Sequence, residues 1–131
     1  MKLLLDTCVF LWLIWDEPEL TPAMRALLAD PEHEVFLSAV SVWEATHKHA
    51  LGKLTVFAPE GAWAHFVRQR AVHEIRPLSF DEADARHLPA LPPIHRDSFD
   101  RLLICQAIEQ GMALITPDAM IQRYPIRTLW D

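Results

Sequence analysis

Within His95-Arg96-Asp97-Ser98-Phe99-Asp100-Arg101 two carboxylates stand three residues apart, at the opening of an apolar-faced segment, LLICQAIEQ, that Gly111 closes. On a helix that spacing puts Asp97 and Asp100 one turn apart, where paired acids can hold a divalent cation. The same residues also have an ordinary structural use. Asp97 suits an N-cap, Asp100 complements the helix dipole from the first turn, and Gly111 suits a C-terminal stop. Which use prevails depends on whether other acids reach the same place.

Three more acids stand near expected helix starts. Asp6 ends the short apolar run Lys2–Leu5 and precedes a strongly apolar segment, Val9–Trp15, so it falls between a strand and a helix. Glu44 follows a second expected strand, Glu34–Ala39, within Ser41-Val42-Trp43-Glu44, a Ser-x-x-Glu pattern that predicts a capping box on a helix ending near Gly52. Asp118 lies in Thr116-Pro117-Asp118 after the apolar strand Met112–Ile115, with Thr116 as cap and Pro117 at the first helical position. Taken singly, Asp6 is a helix cap and each of the others has an equally plain role.

The elements that must position these acids alternate. Thr21-Pro22 opens a helix that breaks at Asp30-Pro31, Pro59-Glu60 opens another through Trp63 and Phe66, and Glu74–Leu78 reads as a third strand. Ser79, with Asp81 and Glu82, begins a short helix expected to end before Pro89, and 89–93 forms a rigid connector. Ile126–Trp130 supplies a fifth strand. Short strands alternating with helices predict an α/β fold with a mainly parallel sheet. The 9–15 helix is apolar on nearly every face, so either other elements or a partner chain must cover it.

Length and composition set the bounds. A chain of 131 residues, 51% apolar, fits one domain, 1–131, with a real core. A formal charge of −6 argues against nucleic-acid binding through a broadly basic surface, yet suits a nuclease whose carboxylates hold metal. Cys8 and Cys105 sit in apolar runs without zinc-ligand spacing and read as reduced core thiols of a cytoplasmic protein. His47 and His49 are two apart and point to different sides of their helix, which makes them poor joint ligands. The apolar N-terminus is interrupted by Asp6 and is too short to span a membrane.

In a parallel sheet the residues after each strand gather at the C-terminal edge, where open α/β folds bind ligands. Asp6, Glu44, Asp100 and Asp118 together would repel one another, at roughly 4 kcal/mol for like charges about 4 Å apart at an effective dielectric of 20. A divalent cation removes that cost, and an all-oxygen donor set favours Mg²⁺ or Mn²⁺ over zinc. The matching chemistry is phosphodiester hydrolysis by a metal-activated water.

LLLDT, SAVSVWE, HRDSFDRLLICQA and LITPDAMIQRY, in that order along nearly the whole chain, resemble the successive motifs of the PIN-domain family, specifically the VapC-type toxin ribonucleases of toxin–antitoxin pairs. The resemblance implies a three-layer α/β/α fold and an acidic metal site of Asp6, Glu44, Asp100 and Asp118. Asp97 joins it as ligand or as cap, and Thr7 and Thr116 lend polar support. It further implies endonucleolytic cleavage of RNA, a homodimer, and inhibition by a small cognate antitoxin. Two features depart from the family pattern: Ser98 stands where many relatives have Pro, and Ala45-Thr46-His47-Lys48 is more polar than the usual continuation. Lys48, Lys53 and Arg101 are the candidate phosphate contacts. Two other readings compete: a PIN-like protein-binding module without activity, and a phospho-accepting receiver-type domain. The receiver reading lacks both the acidic pair at Asp6 and a lysine beyond Lys53.

Overall fold

The computed structural model describes residues 1–131. Five strands form one sheet: β1 (Lys2–Leu5), β2 (Glu34–Ser38), β3 (Arg76–Leu78), β4 (Ala113–Ile115) and β5 (Thr128–Leu129). All four pairings are parallel, in the order β3-β2-β1-β4-β5. The helices are α1 (Thr7–Ile14), α2 (Pro22–Ala29), α3 (Ala39–Ala50), α4 (Ala62–Val72) and α5 (Ser98–Gln110), with 3₁₀ segments at Glu82–Ala90 and Ile121–Arg123. This is the three-layer α/β/α arrangement expected. Its order differs from the 2-1-3-4-5 order of receiver-type domains, which removes that reading.

Strand alternation splits the core in two. Leu3 and Leu5 of β1 and Ala113 and Ile115 of β4 face one layer, with Val9, Phe10, Met24, Ala45 and Phe66. Leu4 and Leu114 face the other, with Leu103, Ile104, Ala107, Ile121 and Tyr124. A period of two does this because successive strand side chains point to opposite faces. The buried middle strands are therefore apolar at every position, as a sheet covered on both faces requires. Part of α1 is covered in this way, Val9, Phe10 and Leu11 being buried, while Cys8 and Trp12 to Trp15 are half-exposed.

Several local expectations shift. No capping box forms at Ser41 and Glu44. Helix α3 begins at Ala39, directly after β2, and Ser38 caps it by accepting from the Val40 amide at 3.0 Å. Strand and helix abut, so Glu44 lies well inside the helix. The helix expected at Pro59 starts later, at Ala62, after Gly61 at φ 99°, a conformation that favours glycine. Strand β3 starts only at Arg76, because Glu74 takes a left-handed turn at φ 57°. The segment after Ser79 is 3₁₀ and runs through Pro89 to Ala90, with the Leu91 amide donating to the Leu88 carbonyl.

The largest departure follows β4. Thr116-Pro117-Asp118 starts no regular helix. The Thr116 hydroxyl accepts from the Asp118 amide at 3.0 Å, and Asp118 Oδ1 accepts from the amides of Met120 and Ile121 at 2.7 and 3.2 Å. These local side-chain bonds compete with helix formation and leave only the short 3₁₀ turn 121–123.

Candidate metal centre

Strand order reverses direction between β1 and β4, and open α/β sheets bind ligands in the crevice at such a switch point. Asp6 leaves β1 on one side of it and Thr116 leaves β4 on the other. The Asp6 amide donates to the Ile115 carbonyl, and the Thr116 hydroxyl donates to Asp6 Oδ2 at 2.8 Å. Asp6 occupies the N-cap position of α1, yet its side chain makes no capping bond there. Its carboxylate is instead 6% exposed and turned toward the crevice residues. Burial pushes the Asp6 carboxyl above its ordinary range, and the charges of Glu44 and Asp118 push it further, against the Thr116 hydroxyl and the Thr7 amide.

Glu44 reaches the same side from α3. Thr7 donates its hydroxyl to Glu44 Oε1 at 2.7 Å, and Ser41 lies 2.9 Å from the same Thr7 oxygen. Thr7 has one proton, which goes to the charged carboxylate, so Ser41 is the donor in the second bond. Lys48, one turn along α3, donates to Glu44 Oε2 at 2.7 Å. Burial lowers the Lys48 ammonium pKa, but the bond and charge of Glu44, with Asp97 and Asp100 beyond, raise it overall. Lys48 is thus partnered inside the acidic cluster.

The opening of α5 contributes Asp97 and Asp100. Asp97 is the N-cap, its Oδ1 accepting from the Asp100 amide at 2.9 Å. Gly111 ends the helix in the left-handed region at φ 66°, as expected of a C-terminal stop. Burial, then the charges of Asp6 and Asp97, push the Asp100 carboxyl up to about 7, with Asp118 adding and a bond from His95 opposing. His95 Nε2 stands 3.0 Å from Asp100 Oδ2. Asp100 Oδ1 and Asp118 Oδ2 have no partner in the protein.

The five acids named from the sequence therefore meet as one electrostatic neighbourhood, although no three of them stand as a preassembled ligand group. Their donor set is all oxygen, and burial together with the neighbouring carboxylates pushes Asp6 and Asp100 above the ordinary carboxylate range. That combination fits a hard divalent cation, which removes the repulsion that Lys48 and His95 offset only in part. Cys8, beside Asp6, is no nucleophile, because burial and the Asp6 charge push its thiol up.

His95 and Tyr124, neither picked out from the sequence, bond into this cluster. Their separation of 29 residues carries no local signal. Arg101, half-buried, is tied to the site through one guanidinium nitrogen. Its Nη1 donates to the Pro92 carbonyl at 3.1 Å and to the Tyr124 hydroxyl at 3.0 Å. Lys53 is exposed beyond the end of α3.

A family model described as PIN domain matches residues 3–126. The fold is similar to that of VapBC2 from Rickettsia felis bound to a DNA fragment from their promoter, at 15% identity and a TM-score of 0.73, covering all of both chains. A DNA-bound VapBC from Salmonella typhimurium matches at 21% identity and 0.68, covering 98% of this chain and 97% of that one. A toxin-antitoxin complex from Klebsiella pneumoniae matches at 16% identity and 0.62, covering 97% and 95%. No curated protein matches the sequence significantly.

Proposed function

From the premise that this chain belongs to the PIN-domain family, we propose that it is a metal-dependent endoribonuclease, the VapC-type toxin of a toxin–antitoxin pair. The observation that carries the reading is that Asp6, Glu44, Asp100 and Asp118 share one neighbourhood beside the β1/β4 switch point, with Asp6 and Asp100 each raised by burial and then by neighbouring carboxylates. Asp6, Glu44, Asp100 and Asp118 would hold Mg²⁺ or Mn²⁺, with Asp97 as cap and outer acid. A cation held there would supply an activated water and neutralise charge on the leaving oxygen. Thr116 and Thr7 orient the carboxylates of Asp6 and Glu44, and Lys48 holds the second oxygen of Glu44. His95 fixes Asp100. No side chain need act as nucleophile.

The likeness to chains in VapBC and toxin-antitoxin complexes supports a small cognate antitoxin as partner. RNA as substrate, a homodimer and a cytoplasmic location complete the reading. No helix is long and apolar enough to cross a membrane. The test is cleavage of structured RNAs with and without Mg²⁺, by wild type and by Asp6→Asn and Asp100→Asn. Cleavage that needs Mg²⁺ and is lost in both variants supports the site. Cleavage that persists in both variants or in excess chelator overturns it. A wild type that cuts no RNA and gains no stability from divalent ions favours the inactive binding module.

A further inference from the structure

Tyr124, 3% exposed, has a hydroxyl oxygen facing four groups: Arg101 Nη1 at 3.0 Å, the His95 amide at 3.4 Å, the His95 carbonyl at 3.5 Å and His95 Nδ1 at 2.8 Å. Arg101 and the amide are donors only, so they take both lone pairs of the hydroxyl. Its own proton must then be donated. The closest acceptor is His95 Nδ1, with the carbonyl farther off. With Nδ1 accepting, the ring proton sits on Nε2, which faces Asp100 Oδ2 at 3.0 Å. The chain Arg101 to Tyr124 to His95 to Asp100 thus has one direction of donation.

We infer that His95 is a positioning residue for the metal-binding carboxylate of Asp100, locked by Tyr124 and Arg101 as an Nε2–H donor. This rests on the reading of the site given above. The bond occupies Oδ2 and leaves Oδ1, which has no partner in the protein, as the oxygen that would hold a cation. A free carboxylate can rotate about its last torsion and offer either oxygen, whereas one tied at Oδ2 presents a single donor in a fixed direction. Partners of this kind, one bond removed from the ligand, commonly change metal affinity about 10–100-fold when removed. Arg101, half-buried, therefore serves the site from behind through Nη1.

Two measurements test this. Long-range ¹H–¹⁵N spectra of the metal-free protein at neutral pH report which ring nitrogen of His95 carries the proton. Nε2–H is expected in wild type, and Tyr124→Phe, which removes the hydroxyl, is expected to lose that preference. A wild-type ring protonated on Nδ1, or a Tyr124→Phe ring unchanged, overturns the relay whatever the protein's activity. Calorimetric titration with Mn²⁺ is expected to show about 10–100-fold weaker binding in His95→Ala and recovery in His95→Gln, whose amide can place an N–H near the position of Nε2. Equal Mn²⁺ affinity in wild type and His95→Ala overturns the positioning role alone. A wild type that binds no Mn²⁺ overturns the metal-site reading and the role of His95 with it.

Discussion

Asp100→Asn is expected to stabilise the metal-free protein and to abolish its response to metal. In the folded chain the Asp100 carboxyl holds its proton up to about pH 7, whereas its ordinary value is 3.8. Between those values the folded state binds more protons than the unfolded one, so metal-free stability is fully present below about pH 4 and is lost as pH rises through about 7. Each tenfold step is worth about 1.4 kcal/mol, giving an upper bound of about 4 kcal/mol. The side chain keeps 15% exposure, and solvent screening brings the expected cost to about 2 kcal/mol. Asparagine has the same shape, retains an oxygen for His95 Nε2, and carries no charge to penalise. Thermal unfolding after dialysis against chelator should show the variant about 5–10 °C above wild type at pH 8 and no higher at pH 4. Adding Mn²⁺ at pH 8 should reverse the order, because only wild type offers the carboxylate. A variant no more stable than wild type at pH 8, or equally stabilised at pH 4, would refute the electrostatic account of the site.

Lys48→Met leaves Glu44, 5% exposed, facing the other acids without its cation, and should cost about 1–3 kcal/mol in chelator with most of that regained in Mn²⁺, as read by urea unfolding. Thr116→Val removes the donor to Asp6 and the acceptor for the Asp118 amide, both buried or half-buried. It should destabilise by about 1–3 kcal/mol and weaken Mn²⁺ binding measured by calorimetry. Asp6→Asn should lower RNA cleavage by about 10²-fold or more in single-turnover kinetics, since it removes a buried carboxylate at the β1/β4 switch point. Phe66→Ala opens a cavity in the layer formed by α1 to α4, where the ring packs edge-on against Phe10. A loss of about 3–5 kcal/mol in urea unfolding is expected, with no change in the affinity of the folded protein for Mn²⁺.

Periodicity and punctuation carried most of the architecture. Leu3-Leu4-Leu5 announces a strand buried on both faces, and Gly111 a helix stop, because both depend on near neighbours in the chain. The acids were legible one at a time for the same reason. Asp97 keeps its local role as cap, since an N-cap bond spans three residues. Asp6 and Glu44 do not keep theirs. Their partners, Thr116 and Thr7, lie 110 and 37 residues away, and a buried carboxylate bonds to whatever the packing brings to it. Thr116-Pro117-Asp118 carries every mark of a helix start, yet its side chains close local turns and the helix never propagates. The residue types of the acidic site were thus written in the chain, as a family resemblance and as four helix starts. Folding decided that these acids share one neighbourhood, that Lys48 and Arg101 Nη1 bond into it, and that His95 and Tyr124 do so too. Those contacts exist only once β1 and β4 lie side by side and α3 and α5 close over their ends, a distance in space that no local pattern encodes.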